Sequence, residues 1–319
     1  MTADLLGQTY ALLAAITWAF ALVLLKQSTE HATPMGLNLF KNAVGLVLLV
    51  VTLVAQAAWQ PDSGGWLPNV SRRDLGILVL SGVIGIALAD TMFLRALHSV
   101  GVGLTSIADC CYSPAVFLFS WLMLGTPLGA FQCVGGLLVI GSVLVASRHD
   151  PPQGRTRAQI AGGMLLAGAA VALMGLGMVL VTPMLQHLSI VWVATVRLAA
   201  GSAVLALFAL LDSGRRETWA IFRPSPLWKS ALPGSVLGMY VCLLPWFAGF
   251  KYTHPAVAAA LNQTSVVFAV ILASIFLKET FSRRKLAAVA LALTGVAVVT
   301  CAGWFEARWQ ALFQAFASG

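Results

Sequence analysis

Charged residues are scarce in this chain. Of its 319 residues, 9% are Asp, Glu, Lys or Arg and 59% are hydrophobic. Soluble domains carry about 25% charged residues, so this chain has too few to cover a surface that faces water. A surface that faces lipid needs no such cover. The composition therefore predicts an all-α integral membrane protein in place of a soluble enzyme or binding module.

Acidic residues are the scarcer charged type. Eleven Asp and Glu stand against nineteen Lys and Arg, which gives a formal net charge of +8. The basic residues lie in short gaps between long apolar stretches, as in loops that rest against anionic lipid headgroups. We therefore expect membrane lipid as a partner and do not expect nucleic acid.

Enzyme signatures are missing as well. The sequence contains no H-E-x-x-H, no G-x-S-x-G and no G-x-x-x-x-G-K-[ST], which argues against metallo- and serine hydrolases and against direct use of ATP. The cysteines lie inside apolar runs without metal-ligand spacing; they are Cys110, Cys111, Cys133, Cys242 and Cys301. No segment is long enough for a soluble signalling domain. We therefore predict neither an enzyme nor a receptor, and no cofactor or metal.

Long apolar stretches dominate the sequence instead. A bilayer core about 30 Å thick requires about 20 apolar helical residues. Ten stretches meet this requirement: residues 7–27, 35–57, 74–96, 100–124, 128–147, 158–181, 188–211, 229–250, 255–277 and 283–303. The first lacks the features of a cleaved signal peptide, so we expect it to be retained. The 29 glycines, many at small-residue spacing, predict close helix packing.

Residues 304–319 differ from the rest of the chain. Large apolar residues follow helical spacing there, with polar residues between them; the apolar ones are Phe305, Trp309, Leu312, Phe313 and Phe316. This pattern predicts an amphipathic helix that lies in the membrane interface. The alternative is a disordered tail.

The two halves of the chain resemble each other. A shift of 153 residues aligns Asp109 with Asn262, and a shift of 156 aligns Lys41 with Arg197. We therefore predict a first five-helix repeat at 1–147, a linker at 148–157, a second five-helix repeat at 158–303 and the tail at 304–319. Because five spans are an odd number, the second repeat should be inverted in the membrane, as in many secondary transporters.

Two segments carry a resemblance to a known family: GIALADTMFLRAL at 85–97 and LKETFSRRKLAAVALALTGVAVV at 277–299. With these and the small-residue run into Pro114, nearly the whole chain resembles the drug/metabolite transporter superfamily, in its ten-helix EamA-type branch. The resemblance implies transport of metabolites, including amino acids and nucleotide-linked compounds. One departure is Thr126, where the first repeat often carries a Glu like Glu279. Another is the first helix, which lacks the membrane-embedded Glu of the small multidrug relatives.

Polar residues inside the predicted helices are candidate binding residues, because a charge at membrane depth is costly and usually functional. Lys41 and Arg197 would attract a carboxylate or phosphate, while Asp109 would bind an amine or carry a coupling proton. The alternative is a structural ion pair, for example between Asp109 and Lys41. The other candidates for substrate binding are Asn42, Tyr112, Asn262, Gln263, Trp18, Trp192 and Trp246. The aromatic residues among them would otherwise serve packing alone.

Asp90 is a second candidate for proton coupling. It lies near the end of the predicted helix at 74–96, five residues before Arg95. At that position the simpler interpretation is that both side chains extend to the membrane interface.

Together these features predict a secondary active transporter, an exporter or exchanger of a small polar or amphipathic metabolite, working by alternating access around a midplane cavity. The alternative is a flippase for a lipid-linked or isoprenoid substrate. We expect the protein to lie in a bacterial plasma membrane and to use protons as the coupling ion. The sequence leaves open whether it forms a homodimer. A count of four basic loop residues against thirteen favours both termini outside, whereas the family resemblance favours both inside.

Overall fold

The protein is helical throughout the part of the chain that the structure describes. This computed structural model describes residues 3–59, 68, 70–125, 129–147, 156–212, 214–253, 255–279 and 282–301, which contain helices and no strand. The predicted amphipathic tail, Thr126 and most of the predicted linker lie outside the described residues.

Fourteen α-helices and two π-helical segments follow one another in these residues. The first half contains α1 (Ala3–Thr29), α2 (Pro34–Trp59), α3 (Arg72–Gly82), the first π segment (Val83–Ala89), α4 (Asp90–Asp109), α5 (Tyr112–Leu124) and α6 (Ala130–Ser147). The second half contains α7 (Arg157–Leu185), α8 (Ile190–Leu211), α9 (Arg215–Ala220), α10 (Trp228–Val236), the second π segment (Leu237–Val241), α11 (Leu243–Tyr252), α12 (Pro255–Gln263), α13 (Ser265–Phe276) and α14 (Arg283–Thr300).

Seven helical segments among the described residues are long and apolar enough to cross a membrane. They are Asp4–Thr29, Pro34–Trp59, Arg72–Asp109, Arg157–Leu185, Ile190–Leu211, Trp228–Tyr252 and Val257–Phe276. Large apolar side chains such as Leu137, Leu165 and Leu211 are more than two-thirds exposed on the outside of the bundle, as expected where helices contact lipid. The prediction of an all-helical membrane protein is confirmed.

Several helices are interrupted in the middle of the bundle. Each π segment continues the preceding α-helix while inserting an extra residue into the turn, a feature common at functional sites. Within α4 the chain bends sharply at Gly101, whose φ of 82° and ψ of 175° are non-helical. Short breaks at Cys110–Cys111 and at Thr264 separate α4 from α5 and α12 from α13.

The helices pack around α1, α4, α7 and α8. Helix α1 contacts α10 and α11, α7 contacts α3 and α4, α2 contacts α8, and α6 contacts α14. Glycines permit the closest approaches, because a membrane bundle gains stability from tight van der Waals contact. A Cβ at Gly45, for example, would lie 2.6 Å from the Met239 Cβ.

Gly201→Ala is expected to lower the thermal stability of the protein. The added Cβ would lie 2.7 Å from the Gly82 carbonyl oxygen and 2.8 Å from the Ile86 Cβ, and overpacking of this kind costs about 1–3 kcal/mol. Thermal unfolding in detergent checks this. Gly168→Ala is the matched control, since its Cβ would meet nothing within 4 Å. Equal melting temperatures for the two variants would contradict this packing.

Candidate functional site

A cavity lies at the centre of the bundle, beside both π segments and both helix breaks. Its volume, taken as the space that the centre of a water molecule can reach, is about 150 Å³. Its walls come from α1, α2, α4, α5, α7, α8, α11, α12 and α13 and from the two π segments. The charged or polar lining residues are Trp18, Lys41, Asp90, Asp109, Tyr112, Arg197, Cys242, Trp246, Asn262, Gln263 and Ser265.

Lys41 and Asp90 form a salt bridge at this cavity. The Lys41 ammonium contacts the Asp90 carboxylate, with side chains 4% and 17% exposed. The interpretation of Asp90 as an interfacial residue is therefore wrong, although Arg95 is exposed as expected. The reason is that the helix runs on to the bend at Gly101, which places Asp90 about 16 Å along the helix from that bend at 1.5 Å per residue. The alternative pairing of Lys41 with Asp109 is likewise not observed.

A chain of amides fixes the position of Lys41. The Lys41 Nζ donates to the Asn42 Oδ1 at 3.1 Å, and the Asn42 Nδ2 donates to the Asn38 Oδ1 at 3.1 Å. The Asn38 Nδ2 then donates to the Ile86 carbonyl oxygen at 3.0 Å and the Thr91 hydroxyl at 2.8 Å. The first π segment and α4 are thereby tied to α2, and the ion pair is held in a defined geometry.

Arg197 has a different environment from Lys41. Its side chain is 3% exposed, its Nε has no hydrogen-bond partner, and within the described residues it forms no salt bridge. The guanidinium lies over the Phe247 ring, 5.3 Å from the centroid, and lies close to Gly85 and Gly177, where a Cβ would be 3.3 Å from Nη2. A buried guanidinium with free donors is suited to a planar carboxylate or a phosphate.

Asp109 is the other charged residue of the cavity. It ends α4 directly before the helix break, beside the Trp18 side chain. Among the described residues it forms no salt bridge. An acceptor of this kind in a cavity can hold an ammonium group or a proton.

Three uncharged polar groups at the cavity also lack partners among the described residues. They are the Tyr112 hydroxyl, the Asn262 Nδ2 and the Gln263 Oε1. Buried polar atoms are normally hydrogen-bonded, so these three groups are available to pair with a ligand or with water. They comprise both donors and acceptors, and a polar ligand would pair with them.

Aromatic rings form the apolar part of the wall. Trp246 lies 6.1 Å from Tyr112 and 5.2 Å from Phe247 between ring centroids, and Trp18 lies 5.9 Å from Phe93. Aromatic faces can pack against the apolar part of a ligand. The cavity thus combines opposite charges with an aromatic surface, which fits an amphipathic ligand.

The structure brings most of the predicted site residues together, with two exceptions. Asn42 is buried behind Lys41 and does not line the cavity. Trp192 is 6% exposed and packs in the hydrophobic core. It lies five residues before Arg197, about 140° away around helix α8 at 100° per residue. The face that carries Ala194 and Arg197 to the cavity therefore turns Trp192 away.

Several lining residues were not predicted. Phe93, Leu94, Ile86, Met239 and Phe247 line the cavity, and the resemblance between the two halves of the chain holds the signal that would have found one of them, Phe93. The shift of 153 residues that aligns Asp109 with Asn262 also aligns Phe93 with Trp246, already a candidate on sequence.

Comparisons with known proteins agree with this architecture. The chain is 23% identical to "Uncharacterized transporter YvbV" of Bacillus subtilis (strain 168) over 294 residues, covering 89% of this chain and 88% of the relative. It is 24% identical to an uncharacterized transporter of Archaeoglobus fulgidus over 283 residues, covering 88% and 92%.

A solved crystal structure shares the fold, with a TM-score of 0.64 at 19% identity, covering 93% of this chain and 96% of that one. The family model described as "EamA-like transporter family" matches residues 5–148 and again residues 161–301. This protein, a multi-pass membrane protein, belongs to the EamA-like transporter family.

Proposed function

We propose that this protein is a secondary carrier of a small amphipathic metabolite, such as an amino acid, which alternates access to the central cavity between the two sides of the membrane. The observation that carries the proposal is Arg197, a buried guanidinium at the cavity with an unpartnered Nε. An unpaired buried charge is costly unless a ligand or water solvates it. A substrate carboxylate at Arg197 and a coupling proton at Asp109 would satisfy both charges.

We further propose that the helices form ten spans in two inverted repeats of five. Backbone irregularities support this, since they recur 153 residues apart. The π segments Val83–Ala89 and Leu237–Val241 overlap under that shift, as do the helix breaks at Cys111 and Thr264. Gly125 and Lys278, both left-handed with φ of 69° and 54°, are related in the same way.

Helix packing supports the same relation. Gly45 packs against Met239, and Gly201 packs against Ile86. The shift of 156 residues relates Gly45 to Gly201, and the shift of 153 residues relates Ile86 to Met239. Reciprocal contacts of this kind are typical of a two-fold axis. Such symmetry provides two nearly equivalent arrangements of the halves, which is the physical basis of alternating access.

The repeats differ in charge at the cavity, and the difference supports a substrate role. The position related to Asp90 is Leu243, so Arg197 lacks the acidic partner that Lys41 has. The position related to Asp109 is Asn262. Arg197 and Asp109 are thus left without an ion-pair partner among the described residues.

Counterflow in proteoliposomes tests the proposal. Purified protein would be reconstituted with each of a panel of amino acids, polyamines, nucleosides and sugar phosphates inside, and uptake of the labelled compound measured. We expect accumulation of one class that bears a carboxylate or phosphate. Protein-free liposomes are the control. No accumulation by folded protein across the panel would contradict the small-metabolite carrier and favour the lipid flippase.

Asp109→Asn is expected to abolish flux driven by a proton gradient while sparing substrate exchange, because the amide cannot carry the coupling proton. Both activities are measured in the same liposomes, with and without an imposed pH gradient. Asp212→Asn, at an exposed acidic residue, is the control and should change neither. Undiminished gradient-driven flux in Asp109→Asn would rule out proton coupling at this residue.

A further inference from the structure

The Glu279 carboxylate joins the two halves of the chain. Its Oε1 accepts a hydrogen bond from the Val102 N–H at 2.9 Å, and its Oε2 accepts one from the Gly103 N–H at 3.0 Å. These N–H groups begin the helical turn that follows the bend at Gly101. The carboxylate therefore caps a helix N-terminus, where backbone donors are otherwise unsatisfied and negative charge is favoured.

The backbone on both sides is shaped for this contact. Gly101 has a φ of 82°, which few residues other than glycine adopt, and a Cβ there would lie 2.8 Å from the Glu279 Oε1. On the other side Lys278 is left-handed with a φ of 54°, and the Glu279 N–H donates to the Ala273 carbonyl oxygen at 3.2 Å. The end of α13 thus holds the carboxylate against the bend.

We propose that Glu279 is a positioning residue that latches residues 102–109 to the second half, and that release of this latch opens the cavity to the side of the membrane where α13 is joined to α14. The proposal rests on the carrier function proposed above. Asp109 is seven residues, or about two helical turns, from Val102 on this segment. Movement at the latch is therefore carried directly to a charged wall of the cavity.

The same latch cannot form between the corresponding residues on the opposite side. The shift of 153 residues aligns Glu279 with Thr126 and Val102 with Pro255. Threonine has no carboxylate, and proline has no backbone N–H to donate. The contacts that close the cavity on its two sides would be equivalent if the repeats were identical, but here they differ. The side with Glu279 is therefore held closed more firmly.

Two-sided labelling of a cavity cysteine tests the latch. Met174, which lines the cavity, is replaced by cysteine after the five native cysteines are removed. The labelling rate with a membrane-impermeant maleimide is then measured in spheroplasts and in inverted vesicles, and Lys278→Cys identifies the latch side. Glu279→Ala should raise the ratio of latch-side to opposite-side rates about ten-fold or more, because two charge-assisted hydrogen bonds are lost.

Val102→Pro provides a second variant that leaves Glu279 intact. It introduces the residue found at the related position, Pro255, and removes the Val102 N–H donor at a first-turn position that tolerates proline. The ratio of latch-side to opposite-side rates should therefore rise as in Glu279→Ala, but by a smaller factor. Glu217→Gln, at an exposed acidic residue, should leave the ratio unchanged.

The outcomes separate the latch from the carrier function. If the protein with Glu279 and Val102 intact is labelled from both sides, and Glu279→Ala and Val102→Pro give the same ratio of rates, the latch alone is overturned. This holds even if those two variants melt at a lower temperature. Labelling from one side in every variant overturns the latch and contradicts the carrier function as well.

Discussion

Replacing Arg197 with glutamine is expected to raise the KM for substrate at least ten-fold without lowering the stability of the protein. A hydrogen bond to a charged group contributes about 1.5–3 kcal/mol, which corresponds to roughly ten-fold to a hundred-fold in binding. Stability should be maintained because the guanidinium is buried and forms no salt bridge within the described residues. A buried charge without an ion-pair partner carries a desolvation cost, and the neutral glutamine removes that cost.

Initial rates of counterflow and thermal unfolding, measured on the same preparations, check this prediction. Arg197→Lys should restore part of the affinity, since it retains the charge and loses the planar fork of donors. Arg95→Gln is the matched control, because Arg95 is exposed on α4. A KM close to that of the unmodified protein, or a loss of affinity that follows a loss of stability, would contradict the assignment of Arg197 to substrate.

Lys41→Met should destabilise the protein strongly, by about 3–5 kcal/mol, because it leaves the Asp90 carboxylate buried without its partner. Asp90→Leu should destabilise the protein by a similar amount, because it leaves the Lys41 ammonium buried without its partner. The double variant should recover most of the lost stability, since leucine is the residue that the second repeat carries at the related position, Leu243. Unfolding in detergent measures all three, and transport should stay impaired in the double variant.

Glu30→Gln is the matched control for this ion pair. It breaks the other salt bridge in the described part of the chain, between Lys26 and Glu30 at 3.9 Å, whose Glu30 side chain is 60% exposed. Exposed pairs contribute at most about 1 kcal/mol, so little change is expected. A double variant that loses as much stability as the two single variants together would show that Lys41 and Asp90 act independently.

Much of the helical arrangement follows from the sequence because lipid imposes a simple requirement. Every backbone group must be hydrogen-bonded inside the membrane, so a long apolar run has little choice but to be helical. The resemblance between the two halves is visible for a similar reason: Asp109 and Asn262 are polar residues inside long apolar runs, and such residues are rare enough to align. One cavity residue, Phe93, could have been found by applying the same shift, because it is related to the predicted Trp246.

The pairing of side chains across helices could not be predicted in this way. Asp90 comes directly after a π segment, and an extra residue there rotates the following residues by about 100° relative to a regular α-helix. Periodicity therefore gives the wrong face for Asp90 and does not show that it meets Lys41. The contact of Glu279 with Val102 was equally hidden, because it joins a loop side chain to backbone N–H groups that a sequence pattern does not mark.

Labelling of Met174→Cys from both sides of the membrane tests the central claim most directly. In the variant that has no other cysteine and is otherwise unaltered, a carrier with alternating access should react with impermeant maleimide in spheroplasts and in inverted vesicles. Bound substrate should slow both reactions. Reaction from one side alone, with and without substrate and under either direction of proton gradient, would contradict alternating access around this cavity.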